Sequence, residues 1–482
     1  MFIVLLSSMS LEAAPPGGRP RLLVLTDIGG DPDDQQSMRR LMLYANEFDI
    51  RGLIASASGT PGENKVVSTR PDLILEIIDD YDEVRSNLVK HADGYPEADD
   101  LRKIVFAGDT NRTVESIMPG ASTPGSEHLV RVVDEAEDMV NVAIWGGARD
   151  LAQALCDVRA KRTDAELEAF LKKLRVYAIG DQDGYNAVVD GKRVDLAGTG
   201  LWIKENFPTL RYLESNPPKI NRFTAMFRGM YQNDSRGGDY AKIPLVKPGD
   251  ESLNNEAWLQ ENVLNDHGAL GAGYPVVNQN PGSERNTRGV KEGDTPSWFY
   301  FLPTGLNDPA HPEWGGWGGR FVRDQHNHFI DSMDMHWSGQ DDEAARRKWT
   351  VARWRQAYQN DFAARLDWCV ASPEEANHPP AVRVNGAGGL YPIHVTAKPG
   401  ETVRLKIETS DRDGDEVHAE GWVYEEVTGV SSGDLNLDRT KNPWELRAGP
   451  EAHGKTYHLI VEASDSGQPS LTRYRRVVLD FE

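Results

Sequence analysis

A chain of 482 residues with 53 Lys and Arg against 75 Asp and Glu carries a formal charge of -22. That excess of acid opposes non-specific binding to nucleic acid, which depends on neutralising phosphates, and equally opposes a peripheral place on anionic membranes. The length exceeds what one ordinary core organises, so a large domain with at least one smaller one is expected.

The first fifteen residues have a short apolar core and small residues at Ala13 and Ala14 but no basic start. That pattern fits a signal peptide clipped by a late start codon, or else a disordered tail. Residues 1–18 are therefore set apart from the fold, and a secreted or periplasmic location is expected. No other stretch is long and apolar enough to span a bilayer. Cys156 and Cys369 lie far apart, and their pairing stays open. With no CxxC and no Cys/His cluster, a structural zinc site is not expected.

Residues 22–25 are an apolar run that predicts a buried parallel strand. It ends in Thr26-Asp27, turns through Gly29-Gly30 and reaches Asp31, Asp33 and Asp34 at the head of a predicted helix over 35–45. Carboxylates crowded this closely repel one another unless protonated or bridged by a cation, and hard cations prefer oxygen ligands. Asp31 as N-cap, Pro32 at the first helical position and acid in the first turn are also ordinary helix-start chemistry. That reading leaves Asp27, before the glycine turn, without a role.

A strand over 50–56 completes a strand–helix–strand unit, and helices are predicted over 71–81 and 127–133. Strands over 140–145 and 174–179 each end in a Gly- and Asp-rich loop, with a helix over 151–155 between them. Repeated strands delivering such loops at their carboxyl ends predict a doubly wound α/β fold, a mostly parallel Rossmann-like sheet flanked by helices with its site on one rim. Residues 233–293 read as long loops with a local helix over 256–263, residues 294–302 as a short apolar helical segment, and 341–370 as one long helix. After a linker over 373–380 come short alternating strands (382–384, 393–395, 402–407, 457–461, 475–479) separated by turn signals. Their size and rhythm predict a small C-terminal β-sandwich over 381–482, immunoglobulin-like in character.

The loop from Leu25 to Asp34 resembles the acidic signature of nucleoside hydrolases, 143–155 resembles their second strand–loop–helix, and Gly293-Asp294-Thr295-Pro296-Ser297 resembles their late loop. Further stretches (91–96, 205–208, 305–309, 315–321, 360–365) resemble a bacterial subgroup of cellulose-binding proteins with a nucleoside-hydrolase-like domain and an Ig-like C-terminal domain. The resemblance implies a nucleoside-hydrolase-like domain over 19–372 that binds Ca2+, with Asp27, Asp34, Asp294 and the Arg149 carbonyl as ligands and Asp33 as the base. A Ca2+ shell of six to eight oxygens has room for water and a sugar diol.

Three departures stand out. Two extra residues separate Asp27 from Asp33, Gly293 stands where these enzymes often carry a His, and Asp181, Asp183 and Asn186 are all that answers to their sugar clamp. Substrate contacts are expected from Asp183 and Asn186, from Trp314 and Trp317 as sugar-stacking rings or packed anchors, and from His326 and His328 as a replacement acid or as loop-capping polar residues. Asp411-Arg412-Asp413-Gly414-Asp415-Glu416 resembles a calcium loop without full EF-hand spacing, or a plain Asp-Gly turn. Together these features imply a secreted calcium-dependent hydrolase of a glycosidic or N-glycosidic bond, with a non-catalytic carbohydrate (cellulose)-binding protein as the alternative. The expected partner is a carbohydrate or nucleoside-type small molecule or plant polysaccharide, with no nucleic acid and no membrane; sequence leaves the oligomeric state open.

Overall fold

The computed structural model describes residues 18–30, 32–59, 67–184, 187–190, 192–194, 197–215, 224–231, 251–276, 289–335 and 342–482. The first half alternates strand and helix: β1 (Arg21–Thr26), α1 (Asp33–Leu43), β2 (Asp49–Ala55), α2 (Pro71–His91), β3 (Val105–Ala107), α3 (Pro124–Glu135), β4 (Val140–Ile144), α4 (Arg149–Lys161), β5 (Leu174–Ala178), α5 (Thr199–Asn206) and β6 (Arg211–Glu214). A short helix α6 (Thr295–Phe299), the hairpin β7 (Phe321–Gln325) and β8 (His328–Asp331), and helices α7 (Glu343–Ala352) and α8 (Arg355–Asp367) follow.

These strands form one eight-stranded sheet in the order β3-β2-β1-β4-β5-β6-β8-β7. All neighbours run parallel except the hairpin strand β7. β1, β4 and β5 are apolar almost throughout because helices cover both faces of the sheet. The chain steps outward from β1 to β3, then returns to lay β4 on the other side of β1. That reversal opens a crevice beyond the carboxyl ends of β1 and β4, the general ligand position in open α/β sheets.

Two expectations change. Helix 71–81 continues to His91, because Tyr81, Val84 and Leu88 keep the apolar stripe going. The single helix over 341–370 breaks between Ala352 and Arg355. At the break Arg353 turns to Asp334, 2.8 Å away, and Trp354 packs against Trp422, Tyr424 and Tyr474. Tertiary packing there overrides helical periodicity.

The C-terminal strands are β9 (Ala381–Val384), β10 (Ile393–Ala397), β11 (Thr402–Leu405), β12 (Ile407–Ser410), β13 (Val417–Val423), β14 (Leu435–Asp438), β15 (Trp444–Ala448), β16 (Thr456–Asp465) and β17 (Thr472–Phe481). Sheets β10-β17-β16-β13 and β11-β15-β14 face each other across a core that includes Leu405, Leu446, Leu459 and Val477. The strand expected over 402–407 divides at Lys406, whose N–H donates to Asn385 Oδ1 at 2.7 Å, while Asn442 takes the Ile407 N–H at 3.0 Å. Asparagine side chains thus replace ladder bonds and let the strand change sheets. Cys156 and Cys369 are separate buried thiols. No helix among the described residues is long and apolar enough to cross a membrane.

Candidate functional site

Asp27 leaves β1 at the switch point. Its carboxylate accepts from the Ser58 hydroxyl beyond β2 and lies against Gly146 beyond β4. A Cβ on Gly146 would stand 2.5 Å from Asp27 Oδ1, so only glycine lets the two loops close. Gly29 turns the chain at φ +94°, a conformation side chains resist, and starts α1 with Asp33 and Asp34 in its first turn. Pro32 holds the position before the helix; Asp31, the expected cap, lies outside the described residues. Thr26, at the end of β1, donates its hydroxyl to Asp34 and so ties the strand end to the helix start.

The late loop supplies Asp294 from 260 positions away in sequence, and carboxylate oxygens of Asp33, Asp34 and Asp294 all lie within 4.8 Å of one another. Asp294 is 1% exposed, and its Oδ2 is buried without a hydrogen-bond partner. Burial, then the charges of Asp34, Asp33 and Asp27, push its carboxyl well above the usual range. Lys291 opposes them, its Nζ standing 3.9 Å from Asp33 Oδ1. An all-oxygen donor set with a buried, unbonded carboxylate oxygen fits a hard divalent cation.

Asp33 stands with Asp34 and Asp294 in the tight group, while Asp27, whose charge also acts on Asp294, accepts from Ser58 through Oδ2. Arg149 opens α4, where a backbone carbonyl accepts from the helix N–H four residues on. Its guanidinium reaches Ser116 at 2.8 Å and Gln153 at 3.1 Å, and the loop residue beside Asp27 is Gly146.

Asp183 is on the same rim, beyond β5. Its Oδ2 accepts from the Ala148 N–H at 2.9 Å and from the Thr199 hydroxyl, which braces the β4 loop against α5. Asn186 lies outside the described residues. The two tryptophans are packed anchors, not sugar platforms. Trp314 stacks on His311 at 4.1 Å and meets His458 of the C-terminal strands, and Trp317 is enclosed by Phe299 and Tyr358. Their exposures of 7% and 1% leave no ring face for a ligand. His326 and His328 are also displaced from the site. The β7–β8 turn carries His326, and His328 pairs with Tyr212 near the amino end of β6, on the rim opposite the carboxylates.

Several participants had no sequence signal. Tyr231 donates to Asp33 Oδ2 at 3.3 Å, and its hydroxyl would stand 2.8 Å from a Cβ on Gly293, with Phe227 at 3.1 Å. Tyr231 and Phe227 thus fill the space a side chain at Gly293 would need. Glu214 ends β6 beside Lys204, and burial raises its carboxyl to about 7. Behind the late loop, Arg40 pairs with Glu292 through Nε at 2.5 Å and Nη2 at 3.1 Å, both side chains fully buried. Trp145 Nε1 donates to Ser297 at 2.9 Å, and Ser297 to the Asp294 carbonyl at 2.6 Å, which ties the loop to β4.

The family model described as cellulose-binding Sde182, nucleoside hydrolase-like domain, matches residues 21–321. The chain belongs to that family. The model of the C-terminal domain of cellulose-binding protein Sde0182 matches residues 402–481, the β11–β17 region. Among solved structures, a nucleoside hydrolase-related hypothetical protein from Saccharophagus degradans associated with carbohydrate metabolism is similar over 96% of this chain and 100% of its own, at 29% identity and a TM-score of 0.75. An inosine-uridine preferring nucleoside hydrolase from Bacillus anthracis is 14% identical, over 41% of this chain and 64% of its own, at a TM-score of 0.24. No curated protein matches.

Proposed function

We propose that the protein is a secreted, calcium-dependent hydrolase of a glycosidic or N-glycosidic bond in a carbohydrate-related substrate. The observation that carries this reading is the convergence of Asp33, Asp34 and Asp294 from two distant loops at the sheet's switch point. Asp27, Asp34 and Asp294 would hold the cation. A divalent cation there supplies Lewis acidity toward water and sugar hydroxyls and neutralises the carboxylates. Asp33 has the most accessible side chain of the three, 13% exposed, and takes the proton from attacking water. Tyr231 and Lys291 fix its carboxylate from two sides. The anionic surroundings favour a sugar carbon that gains positive charge as its bond to the leaving group stretches.

A panel of nucleosides and oligosaccharides assayed for reducing-sugar release with Ca2+ and with chelator tests this. Release that needs the cation and falls at least ~100-fold in Asp33→Asn is expected, the size of a lost general base. Release indifferent to Asp33→Asn removes Asp33 from the chemistry, and no release from any substrate removes the hydrolase reading.

The alternative is carbohydrate binding without turnover, favoured by Gly293 in place of an acid and by the family's description as cellulose-binding. Full-length protein retained on insoluble cellulose while releasing no sugar would support it. Passage through cellulose unretained would exclude it.

A further inference from the structure

We propose that His91 and His378 form an acid-sensitive latch between the parallel-sheet region and the C-terminal strands, a pair that stays closed with one added proton and opens when both rings take one. His91 is the last residue of α2, and His378 lies in the connecting segment before β9. Both are buried, 2% and 1% exposed. His91 Nδ1 and His378 Nε2 stand 2.9 Å apart, so one hydrogen bond crosses from α2 to the connecting segment. The neighbouring Asn377 holds that segment on the strands, donating to Asp465 Oδ1 at 3.1 Å and to the Pro469 carbonyl at 2.8 Å.

What lies at the outer nitrogens fixes how many protons the pair can carry. His91 Nε2 is 3.1 Å from the Ala371 carbonyl, and His378 Nδ1 is 3.0 Å from Asp413. A carbonyl and a carboxylate only accept, so both outer nitrogens carry hydrogen when both contacts are bonds. The inner N···N contact has room for a single hydrogen. Three protons on the four ring nitrogens therefore complete the chain Ala371–His91–His378–Asp413, one more than a neutral pair holds. A fourth would set two N–H groups head to head on like charges across 2.9 Å, and the contact must break. The two rings titrate as a unit.

Trp368, just after α8, flanks both rings, 5.3 Å from His91 at 4° and 5.1 Å from His378 at 27°. The acidic segment between β12 and β13 also packs here, as a plain Asp-Gly turn. Asp411 Oδ1 curls it by accepting the N–H groups of Asp413 at 2.7 Å, Gly414 at 3.1 Å and Asp415 at 3.3 Å. Asp413 in turn accepts the His378 N–H at 2.7 Å, and Arg412 donates to the His91 carbonyl at 2.7 Å. The charges facing the pair are thus Arg412 from the turn and Lys90 from α2, which oppose protonation, and Asp413 and Asp411, which favour it at His378. Burial outweighs the favourable contacts and pulls both imidazoles below their ordinary range.

In an open junction each ring titrates alone, near ~6.5, and both are charged by about pH 5. The closed pair holds at most one of those two protons. Opening therefore takes up at least one proton, and the closed state loses stability as pH falls below the ordinary histidine range. Once the open rings are charged, the open fraction should rise about tenfold per pH unit. Opening releases the connecting segment from α2 and so loosens the hold of the C-terminal strands on the parallel-sheet region.

The test is amide hydrogen exchange of the full chain at pH 7, 6 and 5, corrected for the intrinsic rate, in wild type and in His91→Gln. Opening at 371–378 and 411–416 should grow at least ~10-fold between pH 7 and pH 5 in wild type. His91→Gln, whose amide cannot charge, should open more readily at pH 7 and show a flat response over the same range. Wild-type opening that stays constant from pH 7 to pH 5 overturns the proposal, as does a variant with the acid response of its parent. Nitrogen NMR of the imidazoles gives a readout on wild type alone, decisive should His91→Gln fail to fold. The closed junction should show one proton taken up by the pair at most. Two charged rings at pH 5 with 371–378 and 411–416 still protected would also overturn the latch.

Discussion

Asp294→Asn is expected to make the cation-free protein more stable at pH 7 while abolishing the stabilisation that Ca2+ brings through the β1/β4 rim. Burial and the neighbouring Asp34, Asp33 and Asp27 raise the folded carboxyl of Asp294 above its unfolded value. Folding therefore binds a proton that the unfolded chain releases, and stability falls as pH rises above the ordinary carboxylate range near ~4. The amide keeps the shape and removes that dependence, a gain on the order of 1–3 kcal/mol at neutral pH without cation. With cation the order reverses. At about a hundred times its Kd, Ca2+ adds roughly 2.7 kcal/mol to a protein that binds it only when folded. The variant would lack this ligand. Calorimetric melts at pH 5 and pH 7, in chelator and in Ca2+, measure both effects. An Asn variant destabilised in chelator, yet stabilised by Ca2+ as much as its parent, would show that Asp294 faces no cation.

Glu292→Gln should destabilise the fold by about 3–5 kcal/mol, the cost of stranding a buried charge. Arg40 and Glu292 are both fully buried. Tyr274 at 2.5 Å and Thr295 at 2.8 Å donate to the carboxylate, and Arg40 also reaches Gln359 at 2.6 Å and the Tyr358 carbonyl at 3.2 Å. The pair thus locks α1, the late loop and α8 together two residues before Asp294. Cation affinity should fall with stability, because the loop that carries Asp294 loses its anchor. The double variant Arg40→Met with Glu292→Leu should recover part of the loss, since no charge is left uncompensated. Denaturant midpoints in chelator measure this. A single-variant loss below ~1 kcal/mol would mean the charge finds another partner.

Much of the site was legible because its chemistry is concentrated in short segments. Asp27, Asp33 and Asp34 stand out as acids that helix capping cannot fully explain, and the Gly-Asp loop at 293–294 resembles the late loop of nucleoside hydrolases. The tryptophans and histidines were harder to place. A Gly-rich loop with two tryptophans reads alike whether the rings face solvent or a neighbouring sheet. Here the C-terminal strands cover Trp314, and Phe299 with Tyr358 encloses Trp317. Likewise His326 and His328 cluster with acids in sequence, yet hairpin geometry assigns them to the far rim.

By itself the sequence determined the layered α/β architecture, the strand-rich C-terminal region and the acidic loop, because apolar periodicity and turn residues act over a few neighbours. Only the tertiary structure decided what surrounds that loop. Asp294, Tyr231, Lys291 and Ser58 reach it from separate parts of the chain, and the Arg40–Glu292 pair holds one of those parts in place. The same division holds in the C-terminal region. The acidic turn is visible as a motif, whereas the pairing of Val417, just after it, with Asp465 is decided across the sheet. Contacts of that kind depend on which strands become neighbours, and long-range burial decides that.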